Sequence, residues 1–233
     1  MEDNDTGFLR KRNNRLTNFG ATPKFYMSAR CTTGKSPEKE NPMNSKPLGA
    51  GKNSFDLIDS TGLFSEIALK KGHIFLDLGC GIGNYSISAS EYVGSNGVIY
   101  AIDAWKDGIE TLRKTAAARG LKNIRPILAD VSKNIPLEQG SVDMCLMATM
   151  FHDLVHADIH KTALKEVRRV LKNDGKLAIL EFKKIDGPPG PPKNIRISSG
   201  ELANMLIFHD FHQTMTTEIG PYNYLSLFSC FPM

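Results

Sequence analysis

The feature that most constrains the fold is an alternation of apolar patterns, which starts near residue 55 and continues to the end of the chain. Short runs typical of buried strands are followed by longer stretches whose apolar residues recur at helical spacing. The strand-like runs are residues 74–78, 98–102, 124–128, 142–147 and 176–182. This alternation predicts an α/β fold in which a doubly wound, mainly parallel sheet has helices on both faces.

Two further strands are predicted near the end of the chain, at 214–219 and 224–228, with no helix between them. They add an antiparallel hairpin to one edge and bring the sheet to seven strands in a Rossmann-like arrangement. In such sheets a ligand binds outside the carboxyl ends of the strands, where the strand order reverses. The residues that follow the first four strands are therefore the candidates for function.

The first 50 residues have a different composition from the rest. They hold only six Leu, Ile, Val or Phe side chains, and their 9 Lys/Arg against 5 Asp/Glu account for the whole net charge of +4. So little apolar surface cannot offset the entropy of ordering the chain. We predict a disordered basic tail over 1–50 and a folded domain over 51–233. Met43 could instead be the true start, and an arm that contacts RNA or an acidic partner is the functional alternative.

Composition argues against several classes of protein. The longest near-continuous apolar run, residues 144–151, is far shorter than the roughly 20 residues of a membrane-spanning helix. The polar opening of the sequence does not resemble a secretory signal. The four cysteines include no Cys-x-x-Cys pair, so neither a disulfide framework nor a sulfur-bound zinc is indicated. We expect a cytoplasmic protein that acts on neither membranes nor nucleic acids.

The first strand runs into a glycine-rich turn at residues 77–83, with the sequence DLGCGIG. Glycines suit this turn because the backbone must bend tightly and approach a ligand closely. The second strand ends in an acid, Asp103, 20 residues past Gly83, and the third is followed by Asp130. A carboxylate placed like Asp103 can accept hydrogen bonds from both ribose hydroxyls of a nucleoside. Asp130 is placed to meet an adenine amino group.

Two classes of ligand use this layout, and the spacing of the glycines distinguishes them. A dinucleotide site needs Gly-x-Gly-x-x-Gly, whose third glycine would fall at Asn84 or at Ser86. Neither position is glycine. The chain has Gly-x-Gly-x-Gly instead, preceded by the acid Asp77.

This pattern resembles the class I S-adenosylmethionine-dependent methyltransferases. The resemblance spans residues 55–230 and includes Asp103, residues 129–131 and the segment LKNDGK at 171–176. That last segment is similar to the Leu-Lys-Pro-Gly-Gly sequence of ubiquinone/menaquinone C-methyltransferases and related small-molecule enzymes. The resemblance implies S-adenosylmethionine as the cofactor and methyl transfer, by in-line displacement, to a small-molecule acceptor.

The resemblance also implies roles for particular residues. The glycine loop would pass under the methionine part of the cofactor, and Asp77 would reach toward its ammonium group. Asp103 would bind the ribose, while Asp130 and Val131 would meet the adenine ring. For each acid, a place in a helix cap or turn is the structural alternative. The implied cofactor-binding residues are Asp77, Gly79, Cys80, Gly81, Gly83, Asp103, Ala104, Asp130 and Val131.

The loop after the fourth strand, residues 148–154, should face the acceptor. It lacks the (Asn/Asp)-Pro-Pro-(Tyr/Phe) sequence that resembling enzymes use for planar amide or adenine nitrogens, which argues against such acceptors. His152 is the candidate base, and a histidine that bonds to backbone and orients the cofactor is the alternative. His152, His156 and His160 have a spacing compatible with zinc. We expect Asp158 to cap the next helix, which leaves the first two in a loop and predicts no metal site.

The proline-rich segment that follows the fifth strand, residues 187–192, leaves the same edge of the predicted sheet. We hypothesise that residues 187–196 wall the acceptor pocket and that Arg196 faces an anionic group, with a solvated arginine as the alternative. Two other functions stay open. They are a non-catalytic regulatory or scaffold protein that binds the cofactor, and a nicotinamide-dependent oxidoreductase.

Overall fold

The structure is a computed structural model that describes residues 54–231. The predicted basic tail and the possible start at Met43 lie outside these residues. Within them, no helix is both long enough and apolar enough to cross a membrane.

The described residues contain seven strands and six α-helices, in an order that follows the predicted alternation. The strands are β1 (Ile74–Leu78), β2 (Val98–Asp103), β3 (Ile124–Leu128), β4 (Val142–Ala148), β5 (Leu171–Phe182), β6 (Phe211–Ile219) and β7 (Asn223–Cys230). The helices are α1 (Ser60–Glu66), α2 (Asn84–Val93), α3 (Lys106–Ala118), α4 (Phe151–His156), α5 (His160–Val170) and α6 (Ser199–Leu206).

The strands form one sheet in the order β3-β2-β1-β4-β5-β7-β6. Neighbours from β3 to β5 pair in parallel, and β7 pairs antiparallel with both β5 and β6. The fold prediction is therefore confirmed. The strand order reverses between β1 and β4, so the loops that leave these two strands lie at the expected position for a ligand.

Apolar side chains cover both faces of the sheet. On one face the buried residues come from α1, α2 and α3, with Phe64, Val93 and Leu112 fully buried. On the other face they come from α4, α5 and α6, with Phe151, Leu164 and Leu202 fully buried. These two layers hold the strands rigidly, so that the strand ends can position a site.

Two predicted boundaries on the acceptor side are wrong. Residues 151–156 form the short helix α4 rather than a loop, so both His152 and His156 are helical. Asp158 has a φ of 53° and does not cap α5; the N-cap position of α5 is Ile159, which has no side chain able to cap it. A tight turn between two packed helices replaces the predicted cap.

The fifth strand is longer than predicted because it begins at Leu171 rather than at Lys176. Leu171 pairs with Val142, and the pairing then shifts so that Met144 lies opposite Lys176. Residues 172–175 are thus accommodated as an irregularity within the strand. The terminal hairpin is likewise longer than predicted, since its strands extend to Phe211 and Cys230.

Candidate cofactor and acceptor site

The glycine loop between β1 and α2 is fixed to the end of β2. The backbone amides of Gly79 and Cys80 both donate to the carbonyl oxygen of Ile102, at 2.8 and 3.1 Å. Gly79, Gly81 and Gly83 have φ angles of 77°, 56° and 84°. In this left-handed region a side chain is strained, so the path of the backbone itself requires glycine at all three positions.

Asp103 joins the glycine loop to the start of α3. Its Oδ2 atom accepts a hydrogen bond from the backbone amide of Gly81 at 2.8 Å, and its Oδ1 atom accepts one from Trp105 at 2.7 Å. Ala104, which lies between Asp103 and Trp105 in the chain, is exposed. Because each carboxylate oxygen has a second lone pair, Asp103 can still accept hydrogen bonds from the hydroxyl groups of a ligand.

The space beside Gly81 is open, whereas the other side of the loop is closely packed. A Cβ atom built on Gly81 would meet no atom within 4 Å. A Cβ on Gly83 would overlap the side chain of Leu112, and one on Gly108 would lie 2.7 Å from the carbonyl oxygen of Gly81. Gly83 and Gly108 therefore let α3 pack closely against the loop, and Gly81 leaves room for a ligand.

Asp77 lies on β1 just before the loop and is 1% exposed. Its Oδ2 atom accepts a hydrogen bond from the Oγ atom of Ser86 at 2.5 Å. Burial raises the pKa of Asp77 to about 7 although the Ser86 hydrogen bond lowers it, and the charge of Asp103 adds to the rise. A cation placed beside this buried carboxylate would favour its charged form.

Cys80 lies in the same loop and is buried. The pKa of its thiol is raised well above the ordinary value, first by burial and then by the nearby charges of Asp77 and Asp103. A neutral thiol is a poor nucleophile, so this environment suits a residue that lines the loop rather than one that reacts.

Asp130, after β3, forms a turn. Its Oδ1 atom accepts hydrogen bonds from both the backbone amide and the hydroxyl of Ser132, at 3.0 and 2.6 Å. These bonds hold the pKa of Asp130 below its usual range. Asp130 thus has the contacts of a turn residue, and its predicted contact with adenine stays a prediction. Val131, beside it, is buried as its apolar character requires.

The acceptor side begins with α4, directly after β4. The side chain of Met150 occupies the space that a Cβ atom on Gly79 would take, so the start of α4 adjoins the glycine loop. Two residues later, His152 is buried, and its Nδ1 atom lies 2.8 Å from the Oε2 atom of Glu181. A partner of the His152 ring is thus a buried carboxylate at the end of β5.

Arg196 does not face an anionic group, and it is not solvated. The side chain is only 3% exposed, so both interpretations of this residue from the sequence are wrong. Its guanidinium lies over the ring of Phe182 and donates to backbone carbonyl oxygens of the proline-rich segment and of β5's exit. The four acceptors are Lys183, Gly187, Pro189 and Pro191. Arg196 therefore fixes the shape of this segment.

Comparison with known proteins agrees with this geometry. A family model described as a methyltransferase domain matches residues 69–218, well over half of the chain. A structure of a SAM-dependent methyltransferase from Aquifex aeolicus is 30% identical, with a TM-score of 0.70, and the match covers 76% of this chain and 92% of that one. The chain belongs to the S-adenosylmethionine-dependent methyltransferases. The family predicted from the glycine motif is confirmed.

Two curated methyltransferases share part of their length with this one. The demethylmenaquinone methyltransferase of Lactobacillus johnsonii is 27% identical over 163 residues, which is 70% of this chain and 63% of that protein. The 2-phytyl-1,4-naphtoquinone methyltransferase of Trichormus variabilis is 34% identical over 116 residues, or 48% of each chain. This methyltransferase thus spans between about half and two thirds of the curated relatives it matches. These matches do not favour the oxidoreductase or the non-catalytic alternative.

Three residues of this methyltransferase were missed by sequence reasoning. Ser86 and Met150 gave no signal, since one is a helix serine and the other an apolar loop residue. Glu181 did give one: it is the sole charged residue in the apolar run 177–182, and a buried charge needs a partner.

No group of three or more His, Cys, Asp or Glu side chains in residues 54–231 is arranged to hold a metal ion. A cavity of about 470 Å³ opens near the start of β5, where Lys165, Arg168 and Asp210 line it. It includes none of the predicted site residues.

Proposed function

We propose that this chain binds S-adenosylmethionine at the switch point between β1 and β4 and transfers its methyl group to a small aromatic acceptor that carries ionisable hydroxyls, such as a hydroquinone. The observation that carries the proposal is the pairing of the glycine loop with Asp103, through the 2.8 Å hydrogen bond from Gly81. It unites the two features on which the resemblance rests.

The residues at this edge suit the chemical groups of the cofactor. The open space beside Gly81 and the remaining lone pairs of Asp103 suit a ribose. The buried carboxylate of Asp77, with a pKa raised to about 7, suits an ammonium group, whose charge would compensate for desolvation. The cofactor supplies an activated methyl group on a sulfonium. The protein then needs mainly to align the acceptor and exclude water, which can contribute roughly 7–11 kcal/mol.

The acceptor class is proposed from the names of the relatives. Both curated relatives are named for naphthoquinone or menaquinone methylation. Apolar and aromatic side chains such as Met150 and Phe182 border the acceptor side, which suits a flat ring. A hydroquinone must lose a hydroxyl proton to become a strong nucleophile, so this class also needs a group that accepts a proton.

Calorimetry with S-adenosylhomocysteine tests the cofactor site. Asp103→Ala should weaken binding by about 10- to 100-fold, because hydrogen bonds to a charged group contribute roughly 1.5–3 kcal/mol. Asp174→Ala is the matched control, since Asp174 is an exposed acid at the other edge of the sheet. An unchanged dissociation constant for the Asp103 variant would contradict the proposed site.

Transfer of a labelled methyl group tests the reaction. The acceptor used is a short-chain 2-prenyl-1,4-naphthohydroquinone kept in its reduced form, compared with the same ring lacking free hydroxyls. We expect label in the first compound alone. If S-adenosylhomocysteine binds but neither this acceptor nor a cell extract receives label, the non-catalytic alternative is the better interpretation.

A further inference from the structure

A buried carboxylate and a buried imidazole meet where α4 packs on the end of β5. Glu181 is completely buried and accepts three hydrogen bonds. Its Oε1 atom accepts from the backbone amide of His152 at 3.1 Å, and its Oε2 atom accepts from the Nδ1 atom of His152 at 2.8 Å and from the amide of Phe182 at 3.3 Å. Glu181 therefore holds both the backbone and the ring of His152.

This arrangement determines the tautomer of His152. An ionised Glu181 can only accept hydrogen bonds, so the Nδ1 atom of His152 must carry a proton. In the neutral ring the Nε2 atom then has the lone pair. The main-chain amide of His152 is bonded to the same carboxylate. Glu181 therefore fixes both the orientation of the ring and its tautomer.

The other side of the ring points toward a less buried acid. The Nε2 atom of His152 lies 3.6 Å from the Oδ1 atom of Asp153, whose side chain is 27% exposed, against 6% for the side chain of His152 and 0% for that of Glu181. The imidazole therefore lies between two carboxylates along a gradient of exposure. A positive charge that forms on the ring is stabilised from both sides.

His152 is also close to the elements that border the cofactor cleft. Met150, two residues earlier, lies against Gly79 of the glycine loop. The rings of His152 and Phe182 have centroids 6.4 Å apart, at 65° to each other. The first turn of α4 thus connects the loop beside the cofactor with the end of β5.

From this geometry we infer that His152 is a catalytic base toward a hydroxyl of the acceptor and that Glu181 is its positioning residue. This inference rests on the proposed function. The O–H bond of the acceptor breaks, its electron pair stays on the oxygen and ring, and the proton forms an N–H bond at the Nε2 atom of His152. With the methyl donor bound, the methyl carbon would bond to the oxygen or the ring carbon that holds this electron pair, as its bond to sulfur breaks. Where the bond forms at a ring carbon, the hydrogen on that carbon then leaves as a proton and the oxygen regains one, which restores the aromatic ring. The proton leaves to water on the side of Asp153.

Two variants separate this role from a structural one. His152→Asn keeps an amide nitrogen near the position of Nδ1 to donate to Glu181, but it has no base. Glu181→Gln keeps the volume, but its amide would donate to Nδ1 and reverse the tautomer. Each should lower kcat at pH 7 by about 100-fold or more, with KM and the dissociation constant of S-adenosylhomocysteine within about threefold. His156→Asn, at an exposed histidine of the same helix, is the matched control.

The pH dependence gives a readout that a structural role would not change. The groups near the ring are Glu181 from β5 and Asp153 from α4, and Tyr224 of β7 faces Glu181 as a neutral phenol because burial raises its pKa. The ratio of the wild-type kcat to the kcat of His152→Asn should fall as the pH approaches the pKa of the naphthohydroquinone, because solvent then removes the proton. An equal deficit at every pH, or a Glu181→Gln variant with more than a third of the normal kcat, would overturn the inference.

The wild type provides the test if a variant does not fold. As the pH increases, its rate with the naphthohydroquinone should rise and then level off at a pH well below the pKa of the free acceptor, because a protein group accepts the proton. A rate that follows the ionised fraction of the free acceptor contradicts the inference. Failure of the proposed function is distinguishable, since the wild type would then bind no S-adenosylhomocysteine or transfer no label.

Discussion

The candidate site at the carboxyl ends of the strands has two halves that are built in different ways. The cofactor half comprises the glycine loop at 77–83, Asp103 and Asp130, and the acceptor half comprises α4, the end of β5 and residues 183–196. In the cofactor half, the decisive contact joins a loop to the end of the next strand, as when Gly81 donates to Asp103 22 residues later. Two of its other contacts are turns in which a carboxylate bonds to an amide two residues on, at Trp105 and at Ser132. The amides of Gly79 and Cys80 also donate to Ile102, and the hydroxyl of Ser86 donates to Asp77. Local sequence therefore specifies the glycine loop and the turns of this half, and the packing of β1 against β2 brings them together.

The acceptor half depends on buried charged groups that find distant partners. His152 and Glu181 are 29 residues apart and come from different layers of the fold. Arg196 folds back on carbonyl oxygens up to 13 residues earlier. The comparison shows that one half is built around a glycine loop held by backbone hydrogen bonds, whereas the other uses buried charged side chains to hold short, irregular segments in place.

The largest expected effect tests whether the acceptor half can be damaged alone. Arg196→Ala removes the donor to four carbonyl oxygens, so the free energy of unfolding should fall by about 2–4 kcal/mol. The dissociation constant of S-adenosylhomocysteine should change less than twofold. Urea unfolding and calorimetry measure the two quantities. Lys193→Ala, in an exposed ion pair of the same segment, is the control and should change stability by less than about 1 kcal/mol.

If Arg196→Ala weakened the binding of S-adenosylhomocysteine tenfold, the two halves would be energetically coupled and the comparison would fail. A variant as stable as the wild type would instead show that the carbonyl oxygens find water when the guanidinium is removed.

A substitution in the glycine loop tests the opposite half. Gly83→Ala places a Cβ atom at a φ of 84° and against Leu112, so it should cost about 2 kcal/mol of stability and weaken the binding of S-adenosylhomocysteine at least tenfold. Gly200→Ala is the matched control, because a Cβ atom there meets nothing within 4 Å. Thermal unfolding and calorimetry are the measurements. Normal binding by the Gly83 variant would show that the loop tolerates displacement.

The same contrast explains how much could be predicted from the sequence. The strand alternation and the glycine spacing are local patterns, and they predict the sheet, the strand ends as the place for a ligand, and the loop and Asp103 as candidate site residues. The hydrogen bond between Gly81 and Asp103 was not predicted. The role of Glu181 could not be derived, because its partner is defined only when α4 packs on β5. Arg196 was misinterpreted for the same reason, since the sequence does not show that its segment folds around it.

The pH dependence of stability sharpens the account of Asp77. Because its folded-state pKa is raised to about 7 from the ordinary value of 3.8, the folded protein holds this proton more tightly than the unfolded chain does. The stabilising effect of the protonated form is therefore complete below pH 4 and is lost as the pH rises toward 7. In Asp77→Asn this loss of stability between pH 4 and pH 7 should be absent. Thermal unfolding of both proteins measures it, since each 1 kcal/mol of stability lost by the wild type lowers its Tm by about 3 °C.

Binding of S-adenosylhomocysteine should change the protonation of Asp77. Its ammonium group favours the charged carboxylate, so binding below pH 7 should release a proton from Asp77. Calorimetry in buffers of different ionisation enthalpy measures this proton, and Asp77→Asn should abolish it, whereas Asp174→Asn should not. Binding without proton release at pH 6 would mean that no cation of the ligand reaches Asp77.

The smallest expected effect is that of Asp130→Ala, which tests whether Asp130 stabilises a turn or contacts the ligand. If its carboxylate acts through Ser132, then Asp130→Ala should cost roughly 1 kcal/mol of stability and weaken the binding of S-adenosylhomocysteine less than threefold. Ser132→Ala is informative beside it, because it removes the hydroxyl donor and leaves the carboxylate. Similar small losses in both variants fit a turn. A tenfold loss of binding in Asp130→Ala alone would instead mean that this acid contacts the adenine ring, as the family resemblance implies.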